Sequence, residues 1–398
     1  MKRILFLMLM LMAVTVSAQK KQKPNINKAL KSLQDGQLAE AKTMIDEATT
    51  YEKTMEDGKT WYYRGLIYAA IDTTSNAAFK GLAEDPFKTA LESFAKADQL
   101  AKAGSEYFTT DPNNVIPVTK TQQISQLANW YLNRGASLYQ TDSLQEALVN
   151  FEKTQVILPD DTIAYFYAGF VANAMEDHDK SIQNFEKYIE KGGTSSDAYS
   201  LMINTYSGPK EDKEKALEVS RKAKEKFPEN AEFPKVEIGL LIDLNRIEEA
   251  KKGLEEAVVR EPDNKTFHFY LGYVNSKLEH FEEAKKNFTE ALRVDPAYFD
   301  AQYYLAQIYL IDASKIMDQV KNLGISAADK KKQAELDKVL VEKYKIALPH
   351  WEKAEKLNPN DMDVLDRLRT IYYYLGDDAN EKRVSQKLKT LNADEDNN

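Results

Sequence analysis

The chain has 398 residues, 43% hydrophobic and 29% charged, with a formal charge of −9 and no cysteine. The missing cysteines exclude disulfides, thiolate nucleophiles and cysteine metal sites. Acidic charge mixed with lysine along polar segments excludes the basic footprint of a nucleic-acid binder.

Residues 1–18 open on Lys2 and Arg3, run apolar over 4–16 and end in Ser17-Ala18. A short cationic start, an apolar run and small residues before the cut describe a cleaved secretory signal peptide. The 13 apolar residues of 4–16 are too few to span a bilayer, which takes roughly 20. The expectation is a periplasmic protein, secreted or surface-associated as alternatives, with no later membrane span. Removing Lys2 and Arg3 takes the charge from −9 to −11. Residues 19–27 are polar and basic and read as a disordered lead.

From residue 28 apolar residues recur at helical spacing, with Leu30 and Leu33, then Ala41, Ile45 and Ala48. Trp61, Gly65 and Tyr68 open a second unit whose partner helix, carrying Ala90, Phe94 and Ala97, arrives 13 residues late. The surplus, roughly 72–85, is expected to loop out. A second insertion over 104–121 contains Pro112 and Pro117 and reads as a further long loop. Residues 28–127 are therefore two degenerate repeats with two insertions.

Residues 128–298 repeat in phase. Ala147, Ser181, Ala216, Ala250 and Ala284 recur at steps of 34, 35, 34 and 34 residues. The stop position reads Pro159, Gly193, Pro228, Pro262, Pro296, and the second-helix aromatic position Phe151, Phe185, Ser220, Leu254, Phe288. Gly135, Gly169 and Gly272 share one place mid-way along the first helix. Glycine there weakens a helix, so a close helix crossing is the reason for it. Over 299–360 the second helix, with Ala347, Trp351 and Ala354, is displaced by 29 residues. The intervening 314–344 reads as extensions of both helices. Residues 361–391 form a last hairpin with Arg369 at the crossing place, as suits a polar cap. Residues 392–398 are an acidic tail.

The order Leu-Gly, Ala-x3-Phe-x2-Ala, Pro at this period resembles the tetratricopeptide repeat. The resemblance covers most of 28–391 and is tight over 128–297. It implies an all-α, right-handed superhelical solenoid whose first helices line a concave binding face. The inward places of that face hold Tyr62 and Leu66 in the early repeat, then Leu132 and Tyr139. Next come Phe166, Phe170 and Asn173, then Asn204. Phe269, Tyr273 and Lys277 follow, with Tyr303 and Gln307 beyond them. Relatives that clamp a terminal carboxylate carry Lys then Asn at two of these places. Here Lys235 is followed by Gly239, and Asn204 is preceded by Ser200, so that clamp is absent.

Little in the chain points to catalysis. No P-loop, HExxH, GxSxG or dinucleotide fingerprint occurs, and no cofactor is implied. Of four histidines, His178 and His280 fall in expected turns, and His268 and His350 on helices. Glu248-Glu249 and Glu282-Glu283 open second helices, where they favour the helix dipole. The expectation is a non-enzymatic interaction scaffold of the cell envelope that binds a protein or peptide, with a glycan-binding accessory protein as the alternative. Asp72-Thr73-Thr74, Asp142-Ser143-Leu144 and Asp161-Thr162-Ile163 resemble an O-glycosylation acceptor tripeptide of exported bacterial proteins. Each also reads as ordinary turn or capping usage.

Overall fold

The computed structural model describes residues 23–103, 105–110 and 116–395. The signal-peptide reading of 1–18 lies outside these residues, as does the tail from residue 396. The described residues are predominantly helical, and the chain divides into two compact units, one running to Val171 and the other from Ala172.

The first unit begins with α1 (Ile26–Gln34) and α2 (Leu38–Thr49). Asn25 caps α1, so the chain turns helical two residues inside the stretch read as a disordered lead. A short α3 (Glu52–Met55) precedes α4 (Gly58–Thr73), and α5 (Pro86–Leu100) packs back on α4. α4 runs two residues into the stretch 72–85 read as a loop, and the residues between α4 and α5 hold a single turn at Ala77–Phe79. The Gly65 backbone lies against the ring of Phe94, 2.4 Å from where a Cβ would stand. The delayed second helix therefore closes the same crossing as its neighbours.

The second insertion departs from a plain loop. Phe108–Thr110 (β1) and Pro117–Thr119 (β2) pair antiparallel, with Thr109 opposite Val118. β-Branched residues suit the pairing, and Pro117 sits at a strand start, where its missing N–H is tolerated. Thr119 then caps α6 (Lys120–Gln140) in a reciprocal box with Gln122. α7 (Leu144–Ile157) packs on α6, with Phe151 over Gly135, and α8 (Thr162–Ala174) follows.

The second unit continues with α9 (His178–Glu190), α10 (Ser196–Ser207), α11 (Lys213–Lys226), α12 (Glu232–Asp243) and α13 (Ile247–Arg260). Then come α14 (Lys265–Lys277) and α15 (Phe281–Val294), the best-conforming hairpin. Phe288 lies over Gly272, 2.7 Å from its ideal Cβ, and Ala284 and Ala291 are fully buried beside it.

Six of the turns inside the hairpins share one geometry, while the α10–α11 turn at Glu211 departs from it. Asp142, Glu176, Asn245 and Glu279 have φ between 56° and 59°. The next residue's N–H bonds back to the carbonyl five residues earlier, as His280 N does to Asn275 O at 2.8 Å. This is the left-handed helix end that favours glycine, and Gly36 and Gly376 supply glycine at the same place. The backbone thus keeps the repeat where the side chains have drifted.

The expected projection is two long helices, α16 (Phe299–Lys321) and α17 (Ala327–Leu357). Ala313, Leu340 and Tyr344 bury between them, and Lys343 pairs with Asp312 at 2.7 Å. Trp351 fills the aromatic place and is fully buried. α18 (Met362–Leu375) and α19 (Asp378–Glu395) close the array, so residues 392–395 of the acidic tail are helical. Arg369 is exposed and pairs with Asp366, as a polar end requires.

Candidate binding surface

The predicted inward residues separate by environment. Tyr62 is 0% exposed, which removes it from any surface. Its ring stacks on Tyr107 at 5.4 Å, and its hydroxyl donates to Gln123. Burial pushes its pKa up to about 12. The second insertion supplies Tyr107 and so occupies this part of the first-helix face from within the chain. Leu66, one turn on, packs partly buried against the same core.

Phe269 is the second correction. It is 8% exposed, within 6 Å of Phe288, Tyr298 and Tyr304 by ring centroids. Tyr298, at the start of the next helix, folds back over it. The period places Phe269 on an inward position but says nothing of how far the next repeat reaches.

Other predicted residues keep access. In the first unit Tyr139 and Phe170 are 38% and 36% exposed and meet edge to face at 5.7 Å. Leu132 and Phe166 are half-buried beside them in sequence. In the second unit Asn204 is exposed and Asn173 accepts from Thr205 at 3.4 Å. Tyr273 is half-buried, edge to face with Tyr304 at 5.5 Å, with the Lys277 ammonium 5.3 Å from its ring centre. Tyr303 is tied down: its hydroxyl donates to Asp363 at 2.6 Å. Burial and that carboxylate push the Tyr303 pKa up to about 12. Gln307 remains part-exposed.

The period did not point to the clefts between successive first helices. α12 and α14 enclose one of about 280 Å³ lined by Ile238, Gly239, Ile242, Phe267 and Tyr270. α16 and α18 enclose one of about 350 Å³ that includes Gln307, Ser314, Lys315 and Arg367. Gly239 was the available signal, because a glycine at an inward place leaves a hole.

The four histidines lie on or at four different helices. His178 is the first residue of α9 rather than a turn residue, and His280 caps α15. His268 Nε2 lies 2.7 Å from the Pro262 carbonyl. His350 stacks on Tyr309 at 4.0 Å, and burial lowers its pKa. Among the described residues no three His, Asp or Glu gather as metal ligands, and no helix is long and apolar enough to cross a membrane. Of the Asp-Ser/Thr tripeptides, Thr73 donates to Ala69 O within its helix, and Asp161 accepts from Ile163 N at the start of α8. Ser143 precedes α7 without a capping bond from its side chain.

A family model of the tetratricopeptide repeat matches residues 276–313. No curated protein matches the chain. Among solved structures, YrrB, described as a TPR protein with an unusual peptide-binding site, is 20% identical, covering 44% of this chain and 90% of that one at TM-score 0.37. The C-terminal part of a TPR repeat-containing protein from Cytophaga hutchinsonii is 12% identical, covering 65% and 95% at TM-score 0.48. MamA is 15% identical, covering 42% and 92% at TM-score 0.36. The matched segment runs from the end of α14 through α15 into α16, where Phe288 sits over the glycine crossing; with the same crossing at Gly65 and Gly135, the chain carries helical hairpins of the tetratricopeptide-repeat type.

Proposed function

We propose that this protein is a non-enzymatic scaffold of the bacterial cell envelope that holds a protein or peptide on its first-helix faces. One observation carries the reading. Second-helix aromatics are consumed in crossings, whereas the first-helix faces keep open clefts and the half-exposed Tyr139–Phe170 pair. Large apolar groups left at a surface mark contact sites. The glycan alternative loses its basis, because a row of exposed rings does not form: Tyr62 and Phe269 are interior, and Tyr273 faces Tyr304.

The export expectation supplies the compartment. The protein purified from its native host should begin at Gln19, and an intact mass that still includes residues 1–18 would refute export by this signal. For the surface, Tyr139→Ala and Phe170→Ala should each leave the melting temperature within a few degrees of the parent. Capture of envelope partners should weaken by about 2 kcal/mol, as for an interface anchor. A large drop in melting for both variants would make the pair packing rather than contact.

A further inference from the structure

Three consecutive first-helix junctions of the second unit use the same two places differently. Between α12 and α14 the places hold Gly239 and Tyr270. Between α14 and α16 they hold Tyr273 and Tyr304, whose rings fill the junction at 5.5 Å. Between α16 and α18 they hold Gln307 and Arg367. The face therefore reads as a pit, a plug and a polar cleft.

The pit exists because Gly239 has no side chain: a Cβ there would meet nothing within 4 Å. Ile238, Ile242, Phe267 and the 40%-exposed Tyr270 wall a space of about 280 Å³. An apolar cavity of about 150 Å³ already admits benzene, so one aliphatic or aromatic side chain fits. The charges at its rim are already paired, Lys235 with Glu232 at 2.9 Å and Asp243 with Lys213 at 2.8 Å. The pit therefore asks for an uncharged, apolar group.

The polar cleft asks for the opposite. Arg367 and Lys315 line it, and no carboxylate lies within ion-pair distance of either. Lys315 approaches the Phe281 ring, at 5.9 Å, and is near enough to Asp312, which pairs with Lys343, to help hold that carboxylate's pKa down. Asp318, also in the lining, lies 3.7 Å from Lys321. In a chain of net charge −9, two cations without a salt-bridge partner lining one cleft favour an acidic partner group.

We propose that the second unit binds an extended peptide that puts an apolar side chain into the Gly239 pit and an acidic side chain against Arg367. This rests on the scaffold reading above and gives the partner its chemistry. Neighbouring helices pack about 8–10 Å apart. Two such spacings correspond to about five or six extended residues at about 3.3 Å each.

A twelve-residue random peptide display library, panned on the full-length protein, tests this. Enriched peptides should share an apolar residue and an Asp or Glu about five or six positions apart. Their affinity is then read by fluorescence anisotropy. Gly239→Leu fills the pit and should weaken binding at least tenfold, while Gly239→Ala binds nearly as the parent does. Arg367→Ala should weaken binding about tenfold and flatten its dependence on salt. None of the three variants should melt below the parent, since neither site is packed and loss of the mid-helix glycine favours the helix. If the parent enriches no peptide, the scaffold reading fails and this proposal with it. If peptides bind the parent and Gly239→Leu equally well, the scaffold reading stands and the pit is overturned. Unchanged affinity and salt dependence in Arg367→Ala overturns the acidic half.

Discussion

Phe288→Ala is expected to cost about 3–5 kcal/mol of stability, the range for deleting a buried phenylalanine. The ring is fully buried, stacked against Tyr304 at 6.0 Å and tilted against Phe269 at 5.9 Å. It also covers the Gly272 backbone, so its removal opens the tightest crossing of the hairpin. Gly272→Val attacks the same crossing from below. Its Cβ would stand 2.7 Å from the ring, and overpacking of this kind costs about 1–3 kcal/mol. Because the two side chains compete for one space, the double variant should be less destabilised than the sum of the singles. Val259→Ala, at an 82%-exposed position, should change stability by less than about 0.5 kcal/mol. Chemical denaturation of the four variants checks the set. A Phe288→Ala curve lying on that of Val259→Ala would mean that the crossing does not hold the hairpin.

The second large effect is expected at Asp72. Its side chain is nearly buried and accepts from the Tyr131 hydroxyl and, at 2.6 Å, from the Lys153 ammonium. Lys153 also lies over the Phe87 and Tyr131 rings at 4.9 and 5.0 Å. Burial, reinforced by the bond to Asp72, holds the Tyr131 phenol protonated far above the ordinary range. Asp72→Ala strands an ammonium and a buried hydroxyl together. Removing one partner of a buried pair costs about 3–5 kcal/mol, and the quarter-exposed lysine brings the expectation down to about 2–3 kcal/mol. Asp72→Leu with Lys153→Met removes both charges and should recover part of that loss, the Tyr131 hydroxyl still lacking its acceptor. If Asp72→Ala melts with the parent, the carboxylate is a surface group. Asp72 would then fit the loop its sequence context suggested.

Asp72 shows where sequence reasoning stops. Its tripeptide Asp72-Thr73-Thr74 has the composition of a turn, and an insertion does follow it. Nothing local says that α4 runs on through Thr73 and that a lysine 81 residues away reaches back. Long-range pairs of this kind have no periodicity, so no window along the chain contains them.

The sequence by itself determined the hairpins and their phase. A small residue recurring under an aromatic has one physical reading, a close helix crossing, and the structure puts Phe94, Phe151 and Phe288 over Gly65, Gly135 and Gly272. The same frame located two delayed second helices, since α5 and α17 close their crossings despite the intervening residues. Tertiary structure alone decided which inward residues remain a surface. Tyr62 is lost to a ribbon from an insertion and Phe269 to the first tyrosine of the next repeat, both side chains from outside the repeat that holds the position. The open clefts obey the same rule. A cavity belongs to two neighbouring helices at once, and Gly239 becomes a pit only because α14 sets Tyr270 and Phe267 across from it.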